Sequence, residues 1–238
     1  MTLVLVAHGT REAAGAVTVA QMAAALRERL PGVPVLPAFA DVRSPNVTDV
    51  LAGVAGPAVV VPAFLASGYH VRVDVPGQVA RSGHPDVVLA DPLGPAAAVV
   101  AAMHDRLCAA GLRRGDAVVM AAAGSSDPNA LADVRLAASL LADRVGGRVR
   151  LGFVTTARPG VDEAVSAARR RGRRVAVASW LLAPGLFHRW VARTGAEVIS
   201  DPIGAHPLLI EELARRYLST RKARPPAEAK VPGGVVSP

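Results

Sequence analysis

Cysteine, aromatic residues and long apolar runs are all scarce in this sequence, and each scarcity excludes a class of protein. The single cysteine, Cys108, rules out an internal disulfide, a zinc site made of thiolates alone and a cysteine-ligated iron–sulfur cluster. Cys108 lies in a helical apolar pattern from Pro95 to Ala110 and is expected as a small buried hydrophobe. Aromatics make up 3% of the 238 residues, so Ala, Val and Leu must fill the cores. No apolar run approaches the roughly 18–20 residues that span a bilayer. The first run, Leu3–Ala7, is short, lacks a basic leader and ends at His8, so it reads as a buried strand rather than a signal peptide. A cytoplasmic protein with no membrane partner is the expectation. Neither G-x-G-x-x-G nor G-x-x-x-x-G-K-[S/T] occurs, which argues against a dinucleotide site and a P-loop, and neither Ser44 nor Ser67 sits in a G-x-S-x-G elbow.

Hydrophobic residues at 51% and charged residues at 19% are the proportions of a folded globular protein. The net charge of +8 admits nucleic acid, a membrane surface or an anionic small molecule as partner. The densest basic run, Arg169, Arg170, Arg171, Arg173 and Arg174, closes one helical pattern and leads into a strand. Cations are favoured at a helix C-terminus, so this run reads as a solvated helix end and no nucleic-acid partner is expected.

Short apolar runs alternate with amphipathic stretches along the whole chain. The runs are Leu3–Ala7, Val33–Phe39, Ala58–Phe64, Val87–Ala90, Ala117–Ala122, Val149–Val154, Val175–Leu182 and Ala196–Ile199. Between them the spacing is helical, as in Val19, Met22, Ala23, Leu26 and Leu30. Continuous apolar strands alternating with helices predict an α/β fold with mainly parallel sheets covered on both faces. The pattern also repeats. LVLVAHGT from Leu3 is answered by VVMAAAGS from Val118, PAFADVRSPNV from Pro37 by LGFVTTARPGV from Leu151, PAFLASGYH from Pro62 by SWLLAPGLFH from Ser179, and VVLADPLGPAAAVV from Val87 by EVISDPIGAHPLLI from Glu197. Four blocks in one order and at nearly one offset imply an internal duplication. The expected organisation is two homologous lobes, residues 1–113 and 114–219, each a mainly parallel four-stranded sheet flanked by helices. A Pro-, Lys-, Arg- and Gly-rich tail, 220–238, is expected to be disordered.

The duplication permits an internal comparison. His8 follows the first strand and is answered by Ala123; Asp41 follows the second and is answered by Thr155; His70 follows the third and is answered by Phe187, or by His188 if one residue is inserted. Ligands bind beyond the carboxyl ends of strands in open α/β sheets, and here one lobe has kept reactive groups that the other lacks. Imidazole and carboxylate suit divalent metals such as Fe, Co, Ni and Zn, and neutral imidazole also accepts protons. His84, His104 and His206 lie away from this set and read as surface or packing residues. Arg11, Arg43 and Arg72 each stand two or three residues from a candidate group, and guanidinium favours carboxylates. Gly9 and Gly68 occupy the strand-end turns, with Tyr69 beside His70.

AHGTR near the N-terminus, Asp41-Val-Arg-Ser-Pro45 and FLASGYHVRVDVP from Phe64 to Pro76 together resemble the sirohydrochlorin chelatases, which insert cobalt or ferrous iron into sirohydrochlorin. The resemblance covers about residues 1–218 and is to the long single-chain form, with two lobes facing across a cleft. It implies His8 and His70 as the metal-binding and proton-accepting pair, and Asp41 where many members carry Glu. It further implies Arg11, Arg43, Arg72, Gly9, Gly68 and Tyr69 around the tetrapyrrole. Fe2+ or Co2+ would be the substrate metal, with Ni2+ a further candidate; no other cofactor and a monomer are expected. A protoporphyrin-type ferrochelatase fits the arginines less well, and a metal or tetrapyrrole carrier without turnover stays open as the alternative.

Overall fold

The computed structural model describes residues 1–169 and 172–223. Its order is β1 (Thr2–Ala7), α1 (Ala13–Arg29), β2 (Val35–Phe39), α2 (Val47–Ala52), β3 (Ala58–Pro62), a π-helical turn (His70–Asp74) running into α3 (Val75–Arg81), β4 (Val87–Leu89) and α4 (Ala97–Ala109). The second half repeats it with β5 (Ala117–Ala122), α5 (Pro128–Val145), β6 (Val149–Phe153), α6 (Val161–Arg169), β7 (Val175–Trp180), α7 (Leu186–Ala192), β8 (Val198–Ile199) and α8 (Pro207–Ala223). The strands form two four-stranded sheets, ordered β2-β1-β3-β4 and β6-β5-β7-β8, with every pairing parallel. The expected tail, 220–238, begins inside α8, and 224–238 fall outside the described residues.

The strands read as unbroken apolar runs because both of their faces are covered. Side chains alternate between faces: Leu3, Leu5 and Ala7 enter one core, Val4 and Val6 another. In the second sheet Val118, Met120 and Ala122 share the first of these cores, while Ala117, Val119 and Ala121 turn outward under α6. One continuous core therefore joins the inner faces of the two sheets. The outer face of the first sheet is covered by α2 and α3, through Val47, Leu51 and Val75.

Between the sheets lies a layer of four helices, and two of them are exchanged. Helix α4, which ends the first half, packs on β7 and α5 of the second, whereas α8, the last described helix, packs on β3 and α1 of the first. The two meet each other in the middle. Tyr217 on α8 donates its buried hydroxyl to the Met1 carbonyl at 2.8 Å, and Arg106 on α4 donates to the Ile203 carbonyl at 3.2 Å.

Two sequence readings meet the structure differently. Val19, Met22, Ala23, Leu26 and Leu30 are all buried, as their spacing predicts. Cys108, by contrast, is exposed. The buried stripe of α4 runs through Val99, Val100, Ala102, Met103 and Leu107, and Cys108, one residue or about 100° past Leu107, falls on its open side. Of the arginine run, Arg169, Arg173 and Arg174 point at carbonyls and carboxylates of their own chain: Gly195 and Glu197, Gly115, and Asp116.

Candidate metal centre and cleft

In a sheet ordered β2-β1-β3-β4 the chain leaves β1 toward β2 and returns to its other side as β3, which opens a crevice beyond the strand ends. His8 follows β1, Asp41 follows β2 by two residues, and His70 opens the π-helical turn after β3. One donor atom from each lies within 4.8 Å of the others, so the three side chains can share one ion. Among the described residues no other set of three His, Cys, Asp or Glu meets that condition.

The backbone that places them occurs twice. Gly9 has φ +96° and Gly124 +95°; a Cβ on either would collide with the carbonyl oxygen across the turn, that of Asp41 or of Thr155. Asp41 N donates to His8 O at 2.9 Å, as Thr155 N does to Ala123 O at 2.9 Å. Val42 and Thr156 both take positive φ, 51° and 59°. The second half thus keeps the scaffold and has replaced the donors.

Both imidazoles are fixed by the nitrogen facing away from the centre. His8 Nδ1 is 3.0 Å from the Gly9 carbonyl, and His70 Nδ1 is 3.1 Å from Asp74 Oδ2. Each of those partners is an acceptor, so in the neutral ring each Nδ1 carries the proton and each Nε2 keeps its lone pair. The two Nε2 atoms face each other at 3.1 Å. Two lone pairs at that distance repel unless a cation lies between them. An ion bound by both at the usual ~2.0–2.1 Å would see them about 100° apart. Phe64 stacks on His70, with centroids 6.5 Å apart and planes at 24°, and meets the edge of His8 at 6.4 Å, which restricts both rings.

The carboxylate behind His70 is Asp74, four residues on along the same helical stretch. Burial would raise its pKa, but the hydrogen bonds from His70 and Gln78 and the nearby charge of Arg81 outweigh burial and hold it below the usual carboxylate range. It stays an anion that orients and polarises His70, the arrangement common behind histidine metal ligands. In the sequence Asp74 falls within the segment from Phe64 to Pro76. Its i+4 spacing from His70 on a helix was the available signal.

The centre opens into a cleft of about 670 Å³ between the halves. His8, Gly9, Thr10, Gly68, Tyr69 and His70 line one wall; Ser125, Thr155, Trp180, Leu186, Phe187 and His188 line the other. His188 is turned to the Ser200 carbonyl at 3.2 Å. Arg11, Arg43 and Arg72 are not among the lining residues. Arg43 donates to the Thr10 carbonyl at 2.8 Å, and Arg72, half exposed, lies 3.8 Å from Asp127 at the start of α5. Glu12 and Arg189 pair at 2.7 Å between α1 and α7. His84 is held by the Val54 carbonyl and the Asp86 amide, and His206 by the Leu208 amide.

The CbiX family model matches the chain twice, over residues 2–110 and 117–220. SirB from Bacillus subtilis with Fe3+ superposes with a TM-score of 0.79 at 24% identity, over 92% of this chain and 94% of that one. SirB from Bacillus subtilis subspecies spizizenii in complex with cobalt, a sirohydrochlorin chelatase, gives 0.76 at 22% identity, over 93% and 95%. The CbiX described as the terminal enzyme for biosynthesis of siroheme in denitrifying bacteria gives 0.68 at 20% identity, over 92% and 99%. No curated protein matches the chain. No helix among the described residues is long and apolar enough to cross a membrane. A family model matched once in each half, on a two-lobe fold shared with these structures, means that the chain belongs to the CbiX family of sirohydrochlorin chelatases.

Proposed function

We propose that the chain inserts Fe2+ or Co2+ into sirohydrochlorin, with Ni2+ as a further candidate, in siroheme or cobalamin synthesis. The observation that carries this is the pair of Nε2 atoms 3.1 Å apart, each with its Nδ1 turned to an acceptor, both rings lining the cleft and a carboxylate oxygen of Asp41 within 4.8 Å. Such a pair holds a divalent ion as substrate. Once the ion has moved into the ring, the same lone pairs are free to take the two protons that leave the pyrrole nitrogens. Two N–H bonds break, the four ring nitrogens take over the ion as its bonds to the two imidazoles break, and the charge balances with both protons on those imidazoles.

The apolar walls, with Phe187 and Trp180 opposite Tyr69, suit the face of a tetrapyrrole. Its carboxylate arms would be met by Arg11, Arg43 and Arg72, each within three residues of His8, Asp41 or His70 in sequence, with Gly9, Gly68 and Tyr69 beside the ring. The deciding experiment is anaerobic turnover with sirohydrochlorin and each metal, followed by absorbance and corrected for the uncatalysed rate. Many equivalents of metallated product per chain are expected. Product that stops at one equivalent, or a rate equal to the blank, makes the protein a carrier.

A further inference from the structure

Gln78 lies outside every motif that pointed to the metal centre, yet it is buried, at 6% exposure, between two of the segments that build that centre. Its amide makes three hydrogen bonds. Nε2 donates to the Ala40 carbonyl at 2.7 Å and to Asp74 Oδ1 at 3.1 Å; Oε1 accepts from Val47 N at 3.0 Å. Both amide protons are therefore used, and the partners fix which end is nitrogen: the carbonyl and the carboxylate need a donor, the backbone amide an acceptor. Ala40 directly precedes Asp41. Asp74 holds His70. Val47 is the first residue of α2, the helix into which the Asp41 segment runs.

We propose that Gln78 is a positioning residue for the metal centre, one side chain that locks the Asp41 loop and the His70–Asp74 pair into a single frame. The inference rests on the metal reading of His8, Asp41 and His70. The three donors come from three separate strand ends, and nothing covalent sets the distance between the Asp41 loop and the His70 turn. Without the amide, the Ala40 carbonyl and one oxygen of Asp74 lose their buried donor, and each segment can drift independently. Asp74 would then orient His70 less well, and the carboxylate of Asp41 would no longer be held at a fixed separation from the imidazoles. No other residue type does this. Glu has the length but would set acceptors against the Ala40 carbonyl and the Asp74 carboxylate; Asn has the amide but is one methylene short.

The test is a Co2+ titration of the purified chain, read by the visible absorption of bound Co2+ together with far-UV circular dichroism. Gln78→Met, nearly isosteric and unable to hydrogen-bond, is expected to keep the native spectrum and to lose about 10- to 100-fold in Co2+ affinity, the loss typical of removing a partner behind a metal ligand. Asp74→Asn should also weaken binding. The double variant should lose less than the two single losses combined, because the two changes share the route through His70, while the hold of Gln78 on the Asp41 loop is lost only with Gln78. Thr48→Val, which removes only a hydrogen bond to the Gln78 backbone carbonyl, should bind Co2+ like wild type. Should Gln78→Met not fold, Gln78→Asn is read in the same way. Co2+ affinity equal to wild type in a folded Gln78 variant, or strict additivity with Asp74→Asn, overturns the proposal. Wild-type chain that binds Co2+ but does not turn over defeats the insertion reading and leaves the positioning role standing.

Discussion

The paired turns at Gly9 and Gly124 allow the cost of a backbone clash to be separated from damage to the centre. Each glycine has φ near +95°, and a Cβ at either would strike a carbonyl oxygen across its turn. Holding an alanine at such a φ costs on the order of 1–3 kcal/mol, and relieving a main-chain overlap costs roughly 1–3 kcal/mol more. Gly9→Ala and Gly124→Ala should therefore each destabilise the protein by at least about 2 kcal/mol, which for a chain of this size lowers Tm by about 4–8 °C. Their effects on metal should differ. At Gly9 the displaced group is the Asp41 carbonyl, so the Asp41 loop must move away from His8, whose carbonyl accepts the Asp41 amide proton at 2.9 Å. At Gly124 the displaced group belongs to Thr155, on the wall that carries none of the three donors. Differential scanning fluorimetry and Co2+ titration on the same samples decide the matter. Equal Tm losses are expected, with Co2+ affinity falling more than about 10-fold only in Gly9→Ala. Unchanged Tm in both variants would refute the strain argument, and equal loss of Co2+ binding in both would refute the assignment of the centre to the first half.

His8→Ala and His70→Ala should each remove most metal insertion with the fold intact by circular dichroism, whereas His84→Ala, which loses only its bonds to Val54 and Asp86, should keep wild-type Co2+ affinity; full turnover in either of the first two refutes their role. Glu212, buried on α8, would be raised by burial, but its hydrogen bond to Arg215 and the charges of Arg216 and Arg215 outweigh that and hold it below 4.5. A lowered carboxylate pKa adds stability that is complete above the unfolded value and fades as pH falls through the folded one, so Glu212→Gln should flatten the acid limb of the Tm–pH curve below about pH 4.5, and an unchanged acid limb would count against the pairing. Arg72→Ala should raise KM for sirohydrochlorin by about 10-fold with little change in kcat, the loss of one charge-assisted hydrogen bond, and added salt should do likewise; a KM indifferent to both would remove Arg72 from the substrate site.

Much of the fold was legible because the sheets are buried on both faces. Each strand therefore announced itself as an apolar run, and the repeat of four blocks announced the second sheet. His8, Asp41 and His70 were legible because the degenerate half supplied a contrast at each strand end. Gln78 was not singled out, because its role lies in hydrogen bonds to groups distant in sequence, the Ala40 carbonyl and the Val47 amide, whereas Asp74 was within reach of sequence reasoning through its four-residue spacing from His70. The directions of Arg43 and Arg72 were equally hidden: a long side chain near a site in sequence can turn to a local carbonyl or across to the other half. Cys108 was misjudged because an apolar helix with many alanines does not define its buried stripe to within one residue. The sequence pattern of α4 and α8 shows that each has a face to bury and is silent on which sheet receives it.

That exchange of α4 and α8 makes synthesis order matter. His8, Asp41 and His70 all leave the ribosome early, but the inner face of the sheet beneath them, covered in part by α1, waits for α8 before it is closed. A nascent chain complete through β8 still exposes the surface against which Leu209, Leu213 and Tyr217 pack, so a product truncated before α8 would carry every reactive group and lack a finished core under them. The same exchange binds the two ancestral copies together. A gene cut at the linker would yield two fragments, each holding a helix that packs on the other, so neither fragment alone would have a complete core.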